Sequence, residues 1–419
     1  MRNRAVKLGV TLPPAVLLGG RANALSAARS LGKRGIPVTV LDDHGEAALV
    51  ARSKYCVHYI DSPSGGAPGV SWLEWLQLYG RGSIVLPCSD VALDFCARWY
   101  ADLVAAGIRP IEADYEGTLL SLNKLRAYEH VRNADIRAPI TVRLASRDDI
   151  EEVLTEVGFP CGIKPVTPHQ FWEAVARQPA EFERWRTHPK GTVISDIASL
   201  RAIAGPLVDA GIEVLATEVV RGPDSGFCSY YTYLDGDGAP LLHFTKRKPR
   251  QYPIHFGEGT FHETRWQPDV ADLGLRVCRA LGVRGICNVE FKRELGSGAL
   301  VFIECNGRLT ASDALERRAG LDLAWIAYGR AVGVLDPVPT SFTYGMRMWL
   351  PKNDWHAFVD YRREGELSAR EWVSSLAHPQ TFPVFDAADL GPSLAMVRQR
   401  GRRLGRLIRS GVTSRARGA

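Results

Sequence analysis

Residues 302–313 read FIECNGRLTASD. An apolar lead, Phe302 and Ile303, gives way to Glu304, Asn306 and Arg308, each two residues from the next. Side chains two apart on a β-strand share a face. The stretch therefore predicts a strand that aims a carboxylate, a carboxamide and a guanidinium into one space. Just upstream, GICNVEFKREL (285–295), GSG (296–298) and ALVFIECNGR (299–308) have the texture of a hairpin. Its pairing sets Glu290 beside Glu304 and Asn306. Taken singly, a glutamate on an amphipathic strand is usually part of a solvated face. Two carboxylates and an amide oxygen together are hard ligands that suit Mg²⁺, with Mn²⁺ as a substitute, held jointly with substrate phosphates.

Further upstream, short strands each present a lysine: PCGIKPV (160–166) with Lys164 and HPKGTVIS (188–195) with Lys190. Lys164 stands between Pro160 and Pro165 on an otherwise apolar strand, an unusual setting for a surface lysine. IEVLATEVVRGPD (212–224) reads as a strand carrying Glu218 and Asp224. GFCSYYTYLDGDGAPLLHFTKRKPRQYP (226–253) reads as a hairpin turning at Asp235–Gly238, followed by a helix over 269–282. EGTLLSLNKLRAYEHVRNADI (116–136), which contains Lys124, reads as one helix.

The first 110 or so residues alternate apolar strands (AVLLGG, IPVTVLD, SIVLPCSD) with helical stretches. That pattern predicts a parallel, doubly wound sheet. Gly19-Gly20 ends the first strand, but GGRANA lacks G-x-G-x-x-G spacing, so a nicotinamide oxidoreductase is the weaker reading.

The order Lys124, Lys164, Lys190, Glu218, Glu290, Glu304-x-Asn306-x-Arg308 resembles the ATP-grasp superfamily over roughly residues 10 to 335. Its texture is similar to the carbamoyl-phosphate-synthetase-like and D-aspartate-ligase-like carboxylate–amine ligases. The resemblance implies a mixed α/β and α+β fold with four parts. These are a Rossmann-like preATP-grasp domain (1–114), a lid bearing Lys124, Lys164 and Lys190 (115–215), a metal- and nucleotide-binding subdomain (216–335), and a mainly helical appendage (336–419). It implies ATP contacts from Lys124, Lys164 and Lys190, and a hinge at Glu218, Val219 and Val220. It also implies a ribose neighbour in Asp224 and metal ligation by Glu290, Glu304 and Asn306. Lys246, Arg247, Lys248, Arg250 and Arg308 would meet phosphate or an anionic substrate, with Arg247, Arg250 and Arg308 catalytic. One departure is the absence of glycine between Lys164 and Lys190, where many relatives have a glycine-rich phosphate loop.

The implied reaction is ATP-dependent activation of a small carboxylate as an acylphosphate, followed by amide formation with an amine. No protein nucleophile is required, and no G-x-S-x-G or paired Cys/His signature is present. His169, His255 and His262 read as packing or surface residues. The alternatives are a carbamoyl-phosphate-type or carboxylation enzyme and a non-catalytic nucleotide-binding module.

Composition bounds these readings. The chain has 419 residues, 46% hydrophobic and 23% charged, with no apolar run near the roughly 20 residues of a spanning helix. Its N-terminus reads as mature sequence, because Pro13 and Pro14 interrupt the early apolar stretch. Eight scattered cysteines without C-x-x-C argue against a structural zinc or disulfide framework and for the cytoplasm. The net charge of +6 is concentrated in residues 392–419, which hold eight arginines and no acid. There Leu394, Val397, Leu404 and Ile408 recur at helical spacing. The expectation is a terminal helix packed on the body, with weak contact to an acidic membrane or polyanion as the alternative. Nothing reads as a nucleic-acid platform. Trp349, Trp355, Trp372, Phe358 and Tyr361 suggest a packed helical appendage or, equally, the lining of an acceptor site.

Overall fold

The computed structural model describes residues 12–42, 48–61, 68–167, 171, 191–334 and 337–402. Strands β1 (Ala15–Leu18), β2 (Val38–Asp42), β3 (His58–Asp61), β4 (Ile84–Pro87) and β5 (Arg109–Pro110) form a parallel sheet in the order β3-β2-β1-β4-β5. Helix α1 (Ala22–Gly32) is buried from Asn23 to Leu31, and its one buried charge, Arg29, donates through Nε to Asp389 Oδ2 at 2.9 Å. Helices α2 (Pro68–Tyr79), α3 (Asp90–Arg98) and α4 (Tyr100–Ala105) complete the first domain. The Gly19-Gly20 pair has a local explanation. Gly19 has φ +103°, and a Cβ on Gly20 would stand 1.9 Å from Asp42 Oδ2. The glycines let the buried Asp42 carboxylate lie against the turn.

The expected single helix over 116–136 is two helices, α5 (Tyr115–Leu122) and α6 (Lys124–Asn133). Asn123 breaks it by turning extended and capping α6, its side chain accepting from Arg126 N at 3.1 Å. Lys124 thus opens a helix, and its N–H reaches Val166 O at 3.3 Å.

A four-stranded sheet, β6-β9-β7-β8, follows, with β6 (Thr141–Leu144), β7 (Cys161–Pro165), β8 (Thr192–Ile194) and β9 (Val214–Glu218). Helices α7 (Asp149–Glu156) and α8 (Ile197–Asp209) cover it. The core of this layer takes its first residue from Val142 and its last from Ala216. Ala127, Tyr128, Val131, Ile136 and Ala138 pack instead in the core of the large sheet.

That large sheet has the order β14-β13-β10-β11-β12-β15-β16. Its strands are β10 (Phe227–Leu234), β11 (Phe244–Tyr252), β12 (Glu258–Thr264), β13 (Gly285–Arg293), β14 (Leu300–Asn306), β15 (Arg347–Trp349) and β16 (Gln380–Thr381). Helix α9 (Pro268–Ala280) covers one face, and α10 (Asp313–Arg318) and α11 (Leu323–Val332) tie the sheet to the first domain. The appendage contributes α12 (Pro351–Arg363) and α13 (Ala369–Leu376), and it also extends the sheet with β15 and β16. In the helical stretch 391–402, Leu394 and Val397 are 55% and 63% exposed, so this part of the expected apolar stripe is not packed on the body. Leu404 and Ile408 lie outside the described residues.

Candidate active site

The β13–β14 hairpin forms as expected, with Glu290 paired to Glu304 and Asn288 to Asn306. The register shifts between Glu290 and Phe291, so Ile303 is an extra residue on β14. This bulge reconciles two demands. Phe302 turns into the core beside Phe291, while Glu304, two residues on, turns to the opposite, polar face.

Glu304 Oε2 accepts from Lys124 Nζ at 3.1 Å, and Glu290 Oε1 accepts from Lys248 Nζ at 2.8 Å. Asn306 Nδ2 donates to Glu304 Oε1 (3.2 Å) and Asn288 Oδ1 (3.3 Å). Its carboxamide oxygen is the atom left to meet a cation. The donor set of Glu290, Glu304 and Asn306 Oδ1 is all hard oxygen, as Mg²⁺ requires. Lys164 on β7 of the four-stranded sheet adds charge, with Nζ 5.6 Å from the Phe256 ring centre. Burial and the neighbouring Lys124 push its ammonium down to about 8, against the pull of Glu304 and Glu290. The residues expected from sequence are thus brought together: Lys124, Lys164, Glu290, Glu304 and Asn306.

Arg308 lies beyond β14 and crosses to the first domain, where Nε donates to Asp90 Oδ1 at 2.6 Å. Burial alone would raise the Asp90 carboxyl, but Arg308 holds it below its ordinary value. Ser89 caps α3 through Ala92 N and fixes Asp90 at the carboxyl end of β4. That end lies beside β1, where strand order reverses, the usual place for ligands in such sheets.

Glu218 closes β9. Its carboxylate accepts from Arg137 (2.5 Å) and Ile140 N (3.0 Å), and its N–H donates to Ile140 O (2.8 Å). The chain leaves the sheet there through Val219 and the buried Val220. Lys190 lies outside the described residues, as does His169.

Arg247, Arg250 and Asp224 have other partners in the structure. Arg247 pairs with Cys228, which in turn pairs with Phe291 on the core face. It is one residue out of phase with Lys246 and Lys248, so it points away from the carboxylates. Arg250 is 4% exposed and grips Asp354 of α12 through Nε (2.7 Å) and a terminal nitrogen (2.9 Å). It is a strut between the sheet and the appendage. Asp224 is 1% exposed, and its Oδ2 accepts from His255 N (2.7 Å) and the Tyr361 hydroxyl (2.6 Å). That oxygen is committed to protein donors.

Sequence reasoning passed over Asp90, Asn288 and Lys292. Asn288 and Lys292 stand two residues either side of Glu290, so period-two reading would have put them on its face. Lys292 Nζ lies 3.9 Å from Asp224 Oδ1. Lys246, expected near phosphate, is buried on Glu316 Oε1 at 3.0 Å and on Ser312.

Residues 264–335 match the family described as "Carbamoyl-phosphate synthase L chain, ATP binding domain". The carbamoyl phosphate synthase large chain of Beutenbergia cavernae is 41% identical over 75 residues, covering 17% of this chain and 7% of that protein. The N-terminal section of the Methanopyrus kandleri large chain is 26% identical over 216 residues, 48% of this chain and 34% of that one. The chain thus spans less than a tenth of the full-length curated relatives it matches. Among solved structures, N5-carboxyaminoimidazole synthetase from Staphylococcus aureus complexed with ADP superposes with TM-score 0.62 at 13% identity, covering 85% of this chain and 87% of that one. L-amino acid ligase from Bacillus licheniformis gives 0.58 at 13% identity, with 77% and 75% covered. At such identities these similarities establish the fold.

Proposed function

We propose that the chain is an enzyme of the ATP-grasp type, an ATP- and Mg²⁺-dependent ligase joining a small carboxylate to an amine. The observation that carries this reading is the in-register Glu290–Glu304 pair with the Asn306 oxygen, ringed by Lys124, Lys164 and Lys248. Glu290, Glu304 and Asn306 would hold the metal, which when bound neutralises phosphate charge and aligns it. Lys124, Lys164 and Arg308 place positive charge where a transferring phosphoryl group needs it. Backbone groups of Glu218–Val220 offer the hinge for adenine. A substrate carboxylate oxygen bonds to the γ-phosphorus as the bond to ADP breaks, giving an acylphosphate. The amine then attacks the acyl carbon and phosphate leaves. The chain's own contribution is positioning and charge, with no covalent enzyme intermediate.

Calorimetry with ATP and Mg²⁺ is expected to show one nucleotide site. Amino acids and small acids, screened singly and in pairs for ADP and phosphate release, would identify the reactants. Bicarbonate is the arm that reveals a carboxylation or carbamoyl-phosphate activity. Absence of nucleotide binding in Mg²⁺ would overturn the reading, and binding without any turnover would leave a nucleotide-binding module.

Lys164 gives the site a pH dependence. It is charged below about 8 and neutral above, so nucleotide affinity is expected to fall as pH rises from 7 to 9. Lys164→Arg should flatten that slope, because the guanidinium stays charged throughout. An unchanged slope in the variant would remove Lys164 from the phosphate contacts.

The eight cysteines are free thiols, and no helix among the described residues is long and apolar enough to cross a membrane. These features support a reducing, cytoplasmic setting. The exposed Leu394 and Val397, followed by the arginines, support reversible contact with an anionic surface. Deleting residues 392–419 is expected to leave turnover within a few-fold. It should also abolish salt-sensitive binding to anionic vesicles, since exposed charges are screened beyond about 8 Å at physiological salt. Equal vesicle binding by both forms would refute the membrane contact.

A further inference from the structure

Helix α12 ends in a left-handed Gly365 (φ +75°), with Glu366 N–H returning to Tyr361 O at 2.8 Å and Gly365 N–H to Arg362 O at 3.2 Å. Such an ending turns the chain sharply. It leaves Glu364 and Glu366 on either side of the glycine, facing His255 in the loop between β11 and β12. His255 Nε2 lies 3.0 Å from Glu364 Oε2. One histidine nitrogen and one oxygen from each glutamate lie within 4.8 Å of one another.

A second observation comes from beneath the cluster. Asp224 Oδ1 is buried and has no hydrogen-bond partner, yet it lies 3.5 Å from His255 Nδ1. Metal-bound histidines almost always donate their second ring N–H to a carboxylate or carbonyl, which fixes the tautomer and the ring. Here the buried acceptor stands on the Nδ1 side and Glu364 on the Nε2 side. The other Asp224 oxygen, held by His255 N and Tyr361, keeps that carboxylate from turning away.

We propose that His255, Glu364 and Glu366 form a site for a divalent transition-metal cation of the zinc type, with Asp224 as the carboxylate that orients His255. One imidazole nitrogen and two carboxylate oxygens suit zinc better than magnesium, which prefers oxygen alone. Three protein ligands leave a fourth tetrahedral position for water. Ligand atoms around zinc sit roughly 3.4 Å apart for bonds of about 2.1 Å, so the cluster must tighten on the ion. Glu364, half exposed, is free to do so. The bound ion would pin the β11–β12 loop to the end of α12, over Asp224. It is separate from the all-oxygen set of Glu290, Glu304 and Asn306, and it does not depend on the ligase reading.

The test uses the full-length protein, stripped with chelator and free of nucleotide. Calorimetry with zinc chloride is expected to give one ion per chain and a raised melting temperature. Glu364→Gln with Glu366→Gln, both on the surface, should leave the metal-free melting temperature unchanged and weaken zinc binding at least tenfold. Asp224→Asn should weaken it by about 10- to 100-fold, the usual range for an orienting partner. Cobalt chloride should give a visible spectrum without sulfur-to-cobalt charge transfer. No binding with zinc in excess would leave a His255–Glu364 ion pair and overturn the proposal. Undiminished binding in the double variant would overturn it equally, and so would a thiolate spectrum, which would place the ion on the buried Cys278, Cys287 and Cys305.

Discussion

Glu304→Gln is expected to cut Mg²⁺-dependent turnover by at least about a hundredfold, the scale on which removing one key electrostatic group acts. The substitution is nearly isosteric, and the Glu304 side chain is 36% exposed, so the strand and its bulge have no reason to rearrange. What changes is charge. One of two carboxylates in register at the metal end is lost, and the Lys124 ammonium loses the partner that holds it at 3.1 Å. The expected pattern is an intact far-ultraviolet spectrum and melting curve, weakened Mg²⁺ binding, and ADP release near background. Turnover close to the unsubstituted level in a folded Glu304→Gln protein would rule out Glu304 as a metal ligand.

The second large effect is on stability. Asp354→Ala should destabilise the chain by about 3–5 kcal/mol, the range for breaking a buried ion pair by removing one partner. Asp354 is fully buried and accepts from Arg250, Thr260, Trp349 and Trp372. Without it a guanidinium, a hydroxyl and two indole N–H groups are left inside the protein. Urea unfolding of the variant measures the loss. The pair Arg250→Met with Asp354→Leu should recover most of the charge-related part, because both charges then leave together. It also separates the two roles of Arg250. Turnover retained in that double variant identifies a strut, whereas a folded, stable and inactive protein would restore Arg250 to the catalytic machinery. A loss below about 1 kcal/mol for Asp354→Ala, the usual size for a surface pair, would contradict the structural reading.

The site was partly legible in the sequence, for reasons particular residues make plain. Glu290, Glu304 and Asn306 belong to one hairpin closed by Gly296-Ser297-Gly298, so strand periodicity and a short turn suffice to bring them together. Lys164 betrayed itself as a lysine on an apolar strand between prolines. The first domain was legible because its central strands β1, β2 and β4 are buried on both faces and read as continuous apolar runs. The cation-rich run 246–250 was not resolved in the same way. Its side chains alternate between faces and the strand is irregular against β12, so neighbours in sequence meet unrelated partners. Lys248 meets Glu290, Lys246 meets Glu316, Arg250 meets Asp354, and Arg247 faces the core side.

Sequence alone determined the elements whose causes are local: the alternating strands and helices, the β13–β14 hairpin and the acid-rich face it carries. Tertiary structure alone decided which partner each charge meets. Arg308 finds Asp90 across 218 positions, Tyr361 finds Asp224 across 137, and Arg250 finds Asp354 across 104. A buried charge must be paired wherever the fold offers a partner, and neither periodicity nor propensity carries information about a partner so far along the chain.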